Sequence, residues 1–130
     1  MTVAVVCVAL LGFLLFALGL NVSLARGRSG KGAGHSTDPA DPLHKAVRAH
    51  ANTAEFAPMV ALLIFYLGTT GPATWVLWTM GATTACRYLI VVGILLSPNL
   101  DKAHPLRFVG ALGTYVGGLA LSLAALLTVA

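Results

Sequence analysis

The chain has 130 residues, of which 58% are hydrophobic and only 9% charged, with a mean hydropathy of +0.88. An ordinary soluble domain carries about a quarter charged residues, so this composition excludes that class and indicates an integral membrane protein. The formal charge of +4 rests on eight Lys and Arg residues set beside apolar runs, a placement that orients a chain in a bilayer and does not suggest a nucleic-acid partner.

About 20 helical residues cross the hydrocarbon core of a bilayer. Four apolar runs of that order follow one another here, so the expectation is an all-α bundle of four transmembrane helices in a single domain, residues 1–130. The first span covers about residues 3–24, with Asn21 and Ser23 only at its far end, and the sequence places its stop at Arg26, Arg28 and Lys31. The leading M-T-V-A-V-V-C has no basic n-region and its apolar run exceeds a typical signal-peptide core, so this segment is expected to stay as an anchor. A connection over about residues 25–43 is rich in Gly, Ser, Asp and Pro and reads as a loop in water. Its G-R-S-G-K-G lacks both the GxxxxGK[ST] spacing and a preceding strand, so it is not a phosphate loop. D-P-A-D-P, ending at Pro42, reads as a turn into the next helix.

The second span, about residues 44–67, opens on a polar stretch, R-A-H-A-N-T-A-E-F-A-P from Arg48 to Pro58. At about 100° per residue, His44, Arg48, Asn52, Glu55, Met59 and Tyr66 share one arc, whereas His50 points to nearly the opposite side. Pro58 removes a backbone hydrogen bond and predicts a bend near Ala54 and Glu55. After the short T-T-G-P-A-T, the third span covers about residues 73–96, with Trp75 and Trp78 suited to a membrane interface. A second loop, about residues 97–104, leads to a fourth span over about residues 105–129, where Pro105 is tolerated in the first turn. Gly110, Gly113, Gly117 and Gly118 give that helix a small-residue surface for close packing. Cys7 and Cys86 lie in apolar runs with no CxxC spacing and read as buried thiols.

Seven of the eight Lys and Arg residues lie in the two longer loops or at adjoining helix ends, which by the positive-inside rule puts both loops in the cytoplasm and both termini outside. The exception, Arg87, sits well inside the third span and needs an anion or water. Glu55 and Arg87 are each roughly 15 Å from the loop end at 1.5 Å per residue, which predicts an ion pair, with Asn52 able to add a hydrogen bond. Such a pair serves equally as a lock between two helices. Arg26, Arg48 and Arg107 share a shallower level, and three guanidiniums there could receive a small anion with several carboxylates or simply fix topology. The histidines do not form a metal-ligand pattern: His35 and His104 are in loops, His44 and His50 face different ways, and His50 reads as a packing or capping residue. No GxSxG, paired carboxylates or Ser-His-Asp set is present, and Glu55 is the only glutamate.

On these residues the chain resembles a bacterial member of the MAPEG superfamily, the membrane-associated proteins of eicosanoid and glutathione metabolism. Its R-A-H-A-N-T-A-E-F-A-P block is similar to the family's second-helix signature R-x-H-x-N-x-x-E-x-x-P. N-V-S-L-A-R closing the first span, Arg87 in the third and P-L-R at Pro105 to Arg107 support the likeness over essentially the whole chain. The resemblance implies a homotrimer in a bacterial inner membrane that binds glutathione as co-substrate between neighbouring subunits, at the cytoplasmic side. It implies Arg48, Asn52 and Glu55 as glutathione contacts, Arg26 as a further one from the first helix, and Arg107 as the catalytic arginine that stabilises the thiolate. The chain departs from the eicosanoid enzymes where their third-helix tyrosines would fall, having Ile90, Val91 and Ile94, and Phe108 stands where some relatives have serine. Tyr88 and Tyr115 match none of those positions, which implies a less polar pocket.

Two readings follow: a glutathione-dependent transferase or peroxidase acting on apolar electrophiles that arrive through the bilayer, or a protein of the same fold with a structural or ligand-binding role and no turnover. A small multidrug-resistance transporter has similar size but centres its glutamate on the first span, which has no acidic residue here.

Overall fold

Apolar runs interrupted only where Gly, Asp-Pro or Ser-Pro break the backbone pattern leave little choice but helix. In a computed structural model, which describes residues 1–30, 32 and 34–129, they form α1 (Thr2–Ser29), α2 (Pro42–Thr69), α3 (Thr74–Leu96) and α4 (Pro105–Leu127). Each is long and apolar enough to cross a membrane, which makes the fold the expected all-α four-helix membrane bundle.

The ends of the helices have local causes. α1 continues through Arg26 and Arg28, so these side chains form its last turn, where cations meet the carbonyl end of the helix dipole. What ends it is Gly30, whose left-handed φ of 66° suits a residue without a Cβ. Lys31, the third part of the expected stop, lies outside the described residues. The D-P-A-D-P turn forms as expected: the Asp38 carboxylate accepts from the Ala40 N–H at 2.9 Å, and that of Asp41 caps α2 by accepting from the Leu43 N–H at 2.7 Å. α2 runs uninterrupted through Pro58. Gly71, with φ 66°, turns the short connection into α3.

Packing joins α1 to α2 and α3 to α4 as two close pairs, with α2 and α3 meeting between them. Two apolar clusters fill the interior. One, toward the termini, includes Leu11, Val60, Ile64, Met80 and Leu121; the other, toward the longer connections, includes Leu14, Leu18, Ala49, Ile90 and Ile94. Between them lies a polar layer of Thr53, Thr84 and Arg87, each buried.

Glycine sets the α3–α4 distance. A Cβ on Gly110 would come within 2.5 Å of the Ile90 backbone nitrogen, and those on Gly113 and Gly117 would strike Cys86 and Thr83. Gly118 is different: it faces open space, so only three of the four expected glycines make this seam. The seam extends to Gly93, where a Cβ would meet the backbone nitrogen of Arg107 at 2.7 Å. Gly93→Ala should therefore lower stability by about 2 kcal/mol, since backbone cannot yield as a side chain can. Gly12→Ala, with nothing within 4 Å, should leave stability unchanged or raise it slightly. Thermal melts by circular dichroism in detergent micelles would separate the two.

Candidate functional site

At the end of the bundle that carries the two longer connections, α2 presents His44, Arg48 and Asn52 at successive helical turns. α4 contributes Arg107 from its first turn, α3 contributes Ile90 and Ile94, and the α3–α4 connection contributes Leu100. Together they line a cavity of about 260 Å³. Arg48, Asn52 and Arg107, three of the residues singled out in the sequence, are thus brought to one place.

Arg107 is fixed at both ends. Its backbone rests against Gly93, and its Nη1 donates to the carbonyls of Leu100 at 2.9 Å and Lys102 at 3.0 Å. Nε and Nη2 are left to face other partners. The connections also hold each other, through the Leu100 N–H to the Pro39 carbonyl at 3.1 Å, and hold α2, through Lys45 Nζ to the Ser97 carbonyl at 3.3 Å. His44 Nδ1 lies 2.6 Å from the Ser36 carbonyl.

Deeper in, Arg87 is only 1% exposed. Its Nη2 donates to the Asn52 side-chain oxygen at 2.7 Å and to the Asn52 backbone carbonyl at 3.0 Å, and the guanidinium carbon lies 5.2 Å from the centre of the Phe56 ring. Among the described residues its Nε has no hydrogen-bond partner, nor do the buried hydroxyls of Thr53 and Thr84.

Among the described residues the guanidinium of Arg87 is taken by Asn52, foreseen as a secondary partner, and no Glu55–Arg87 contact falls within 4.0 Å. The depths match, but the azimuths do not. Three residues on from Asn52, Glu55 is turned by about 60° around α2, which moves it out of the α2–α3 interface. It is exposed and lines a separate, largely apolar groove of about 500 Å³ between α2 and α4, with Met59, Leu63, Tyr115 and Leu119. Phe56 links the groove to the polar layer, meeting Arg87 on one side and the Tyr115 ring at 5.6 Å and 58° on the other. Nothing in the sequence singled out Phe56 except its place beside Glu55.

Arg26 also departs from the expected cluster. It lines a different cavity, of about 230 Å³, with Gly19, Ser23 and His50 on the other side of the α1–α2 pair, and its Nε donates to the Gly34 carbonyl at 3.2 Å. Arg26 shares the level of Arg48 and Arg107 but not their side, because a residue's level follows from its position along the helix and its side from how the helices pack. His50 behaves as read from the sequence: its ring packs on Gly19, where an added Cβ would sit 3.5 Å from Nε2. Ile90 and Ile94 line the cavity that holds Arg48 and Arg107 and make one wall of it apolar.

In comparisons with known proteins, the family model described as the MAPEG family matches residues 4–127. No curated protein matches the chain, and no solved structure matches it.

Proposed function

The chain belongs to the MAPEG family of membrane proteins, which includes glutathione transferases, and we propose that it is a glutathione-dependent transferase of this kind, acting on apolar electrophiles. The observation that carries the reading is the convergence of Arg48, Asn52 and Arg107 on one cavity at the loop end of the bundle. Two guanidiniums and an amide suit an anionic peptide with several carboxylates.

The protein works as a homotrimer, with the longer connections in the cytoplasm. α2 carries polar side chains on two nearly opposite sides, His44, Arg48 and Asn52 on one and His50 beside Arg26 on the other. A ring with head-to-tail interfaces brings the second side of one protomer against the first side of its neighbour, which would restore Arg26 to the site. It also gives the exposed carboxylate of Glu55 a polar environment instead of lipid.

In the reaction, Arg107 holds the glutathione sulfur as thiolate and the thiol proton passes to water. The sulfur attacks the electrophilic carbon, a C–S bond forms, and a leaving group such as halide departs with the bond's electron pair. The apolar groove beside Glu55 and Phe56 offers the electrophile a route from the bilayer.

A binding or structural role without turnover is favoured by one feature: Arg107 and Asn52 already have protein partners, in the loop carbonyls and in Arg87. Purified protein incubated with glutathione and an aryl halide decides between the two. Conjugate formation above the uncatalysed rate is expected. Glutathione binding without conjugation would establish the non-catalytic role, and failure to bind glutathione at all would remove the glutathione reading.

A further inference from the structure

We propose that His44 is a further binding residue of this site, its protonated ring taking the carboxylate of the bound anion that lies nearest the longer connections. The proposal rests on the reading of the cavity as an anion site, and deepens it.

His44, Arg48 and Asn52 occur at four-residue steps along α2 and line the same cavity. From first to last is about 12 Å at 1.5 Å per residue, close to the reach of an extended tripeptide at about 3.5 Å per residue. A ligand of that length that begins at Asn52 passes Arg48 and Arg107 and leaves the carboxylate at its other end near His44. The half-buried ring is held for this: the Ser36 carbonyl can only accept, so Nδ1, at 2.6 Å, is the nitrogen that carries hydrogen, and Nε2 is the one that gains or loses a proton. Ser36 is itself buried, so the anchor is not a surface contact.

The charged groups lining the cavity with His44 are Arg48 of α2 and Arg107 of α4, while α3 offers only Ile90 and Ile94 and its connection to α4 only Leu100. Of the neighbouring groups, Lys45 is turned to the Ser97 carbonyl, Asp38 and Asp41 accept from backbone N–H groups of their own turn, and His104 precedes α4 with its Nδ1 buried. No lining carboxylate competes for an imidazolium.

An anion that prefers the protonated ring must bind more tightly as pH falls. Peptide carboxylates titrate near 3.5, and S-methylglutathione has no ionisable thiol, so the charge of that ligand is nearly constant between about pH 5.5 and 7.5. The full chain in detergent micelles would be titrated calorimetrically over this range with S-methylglutathione as the glutathione probe and, separately, with tricarballylate. Wild-type affinity should rise about fivefold or more from pH 7.5 to 5.5. His44→Asn, whose amide can still donate to the Ser36 carbonyl, and His44→Gln should lose that rise. The same pH slope in both variants, or in whichever of them folds, overturns the proposal. Tricarballylate binding with a His44-dependent slope, when S-methylglutathione does not bind, supports it and removes only the glutathione reading. Binding of neither probe overturns both.

Discussion

Asn52→Leu is expected to destabilise the bundle by about 3 kcal/mol, whereas Glu55→Gln should leave the unfolding of the single chain almost unchanged. Depth along the helices alone suggests the opposite order. Arg87 is essentially fully buried, and among the described residues its hydrogen-bond acceptors are the two oxygens of Asn52. Removing the side-chain oxygen takes away a charge-assisted bond worth about 1.5–3 kcal/mol. It also leaves a cation in the core held by a backbone carbonyl and the Phe56 face, which puts the cost at the upper end of that range. Arg87→Met on the Asn52→Leu background should recover most of the loss, because it removes the desolvated charge itself. The measurement is helical circular dichroism against rising SDS fraction in mixed micelles that hold single chains. A larger effect from Glu55→Gln than from Asn52→Leu would show that the carboxylate, not the amide, is the partner of Arg87.

What the sequence made legible follows from the regularity of the helix. Rise per residue gives level, so the spans, the shared depth of Glu55, Asn52 and Arg87, and the common height of Arg26, Arg48 and Arg107 could all be read before any coordinates. Side is harder. About 60° of rotation separates an Asn52 that faces Arg87 from a Glu55 that faces outward, and a charge-pairing argument that places both on one arc prefers the carboxylate. Arg26 shows the same limit between helices: α1 packs on the side of α2 away from α4, so equal height does not bring it to Arg107. The end of α1 is hard to read for a different reason. Charge ends the apolar run, but a charged residue is a good helix former and the backbone continues until Gly30 turns it. Gly93 was illegible because a lone glycine in an apolar helix has no signature, and its importance lies in what α4 brings against it.

Arg107→Ala is expected to reduce glutathione conjugation at neutral pH by roughly 25-fold through the thiolate population alone. A free thiol titrates near 8.5, and lowering it by two units requires about 2.7 kcal/mol of preference for the anion. One cation at about 4 Å supplies this in surroundings of intermediate dielectric. At pH 7 the bound sulfur would then be about three-quarters thiolate in the wild type, against roughly 3% once the cation is gone. Arg107 suits the task because its position does not depend on the ligand: Gly93 sets its backbone, and the carbonyls of Leu100 and Lys102 hold one edge of the guanidinium. The loss should therefore be recoverable by pH. The rate for Arg107→Ala should climb about tenfold per unit until roughly pH 8.5, while the wild type levels off above about pH 7.5, so the two profiles converge at high pH. Initial rates with saturating glutathione and an aryl halide measure both limbs, and ultraviolet absorbance of the bound thiolate reports the same ionisation without turnover. Parallel profiles for the two proteins would mean that Arg107 binds the ligand without ionising it, and rates within twofold at neutral pH would remove it from the chemistry altogether.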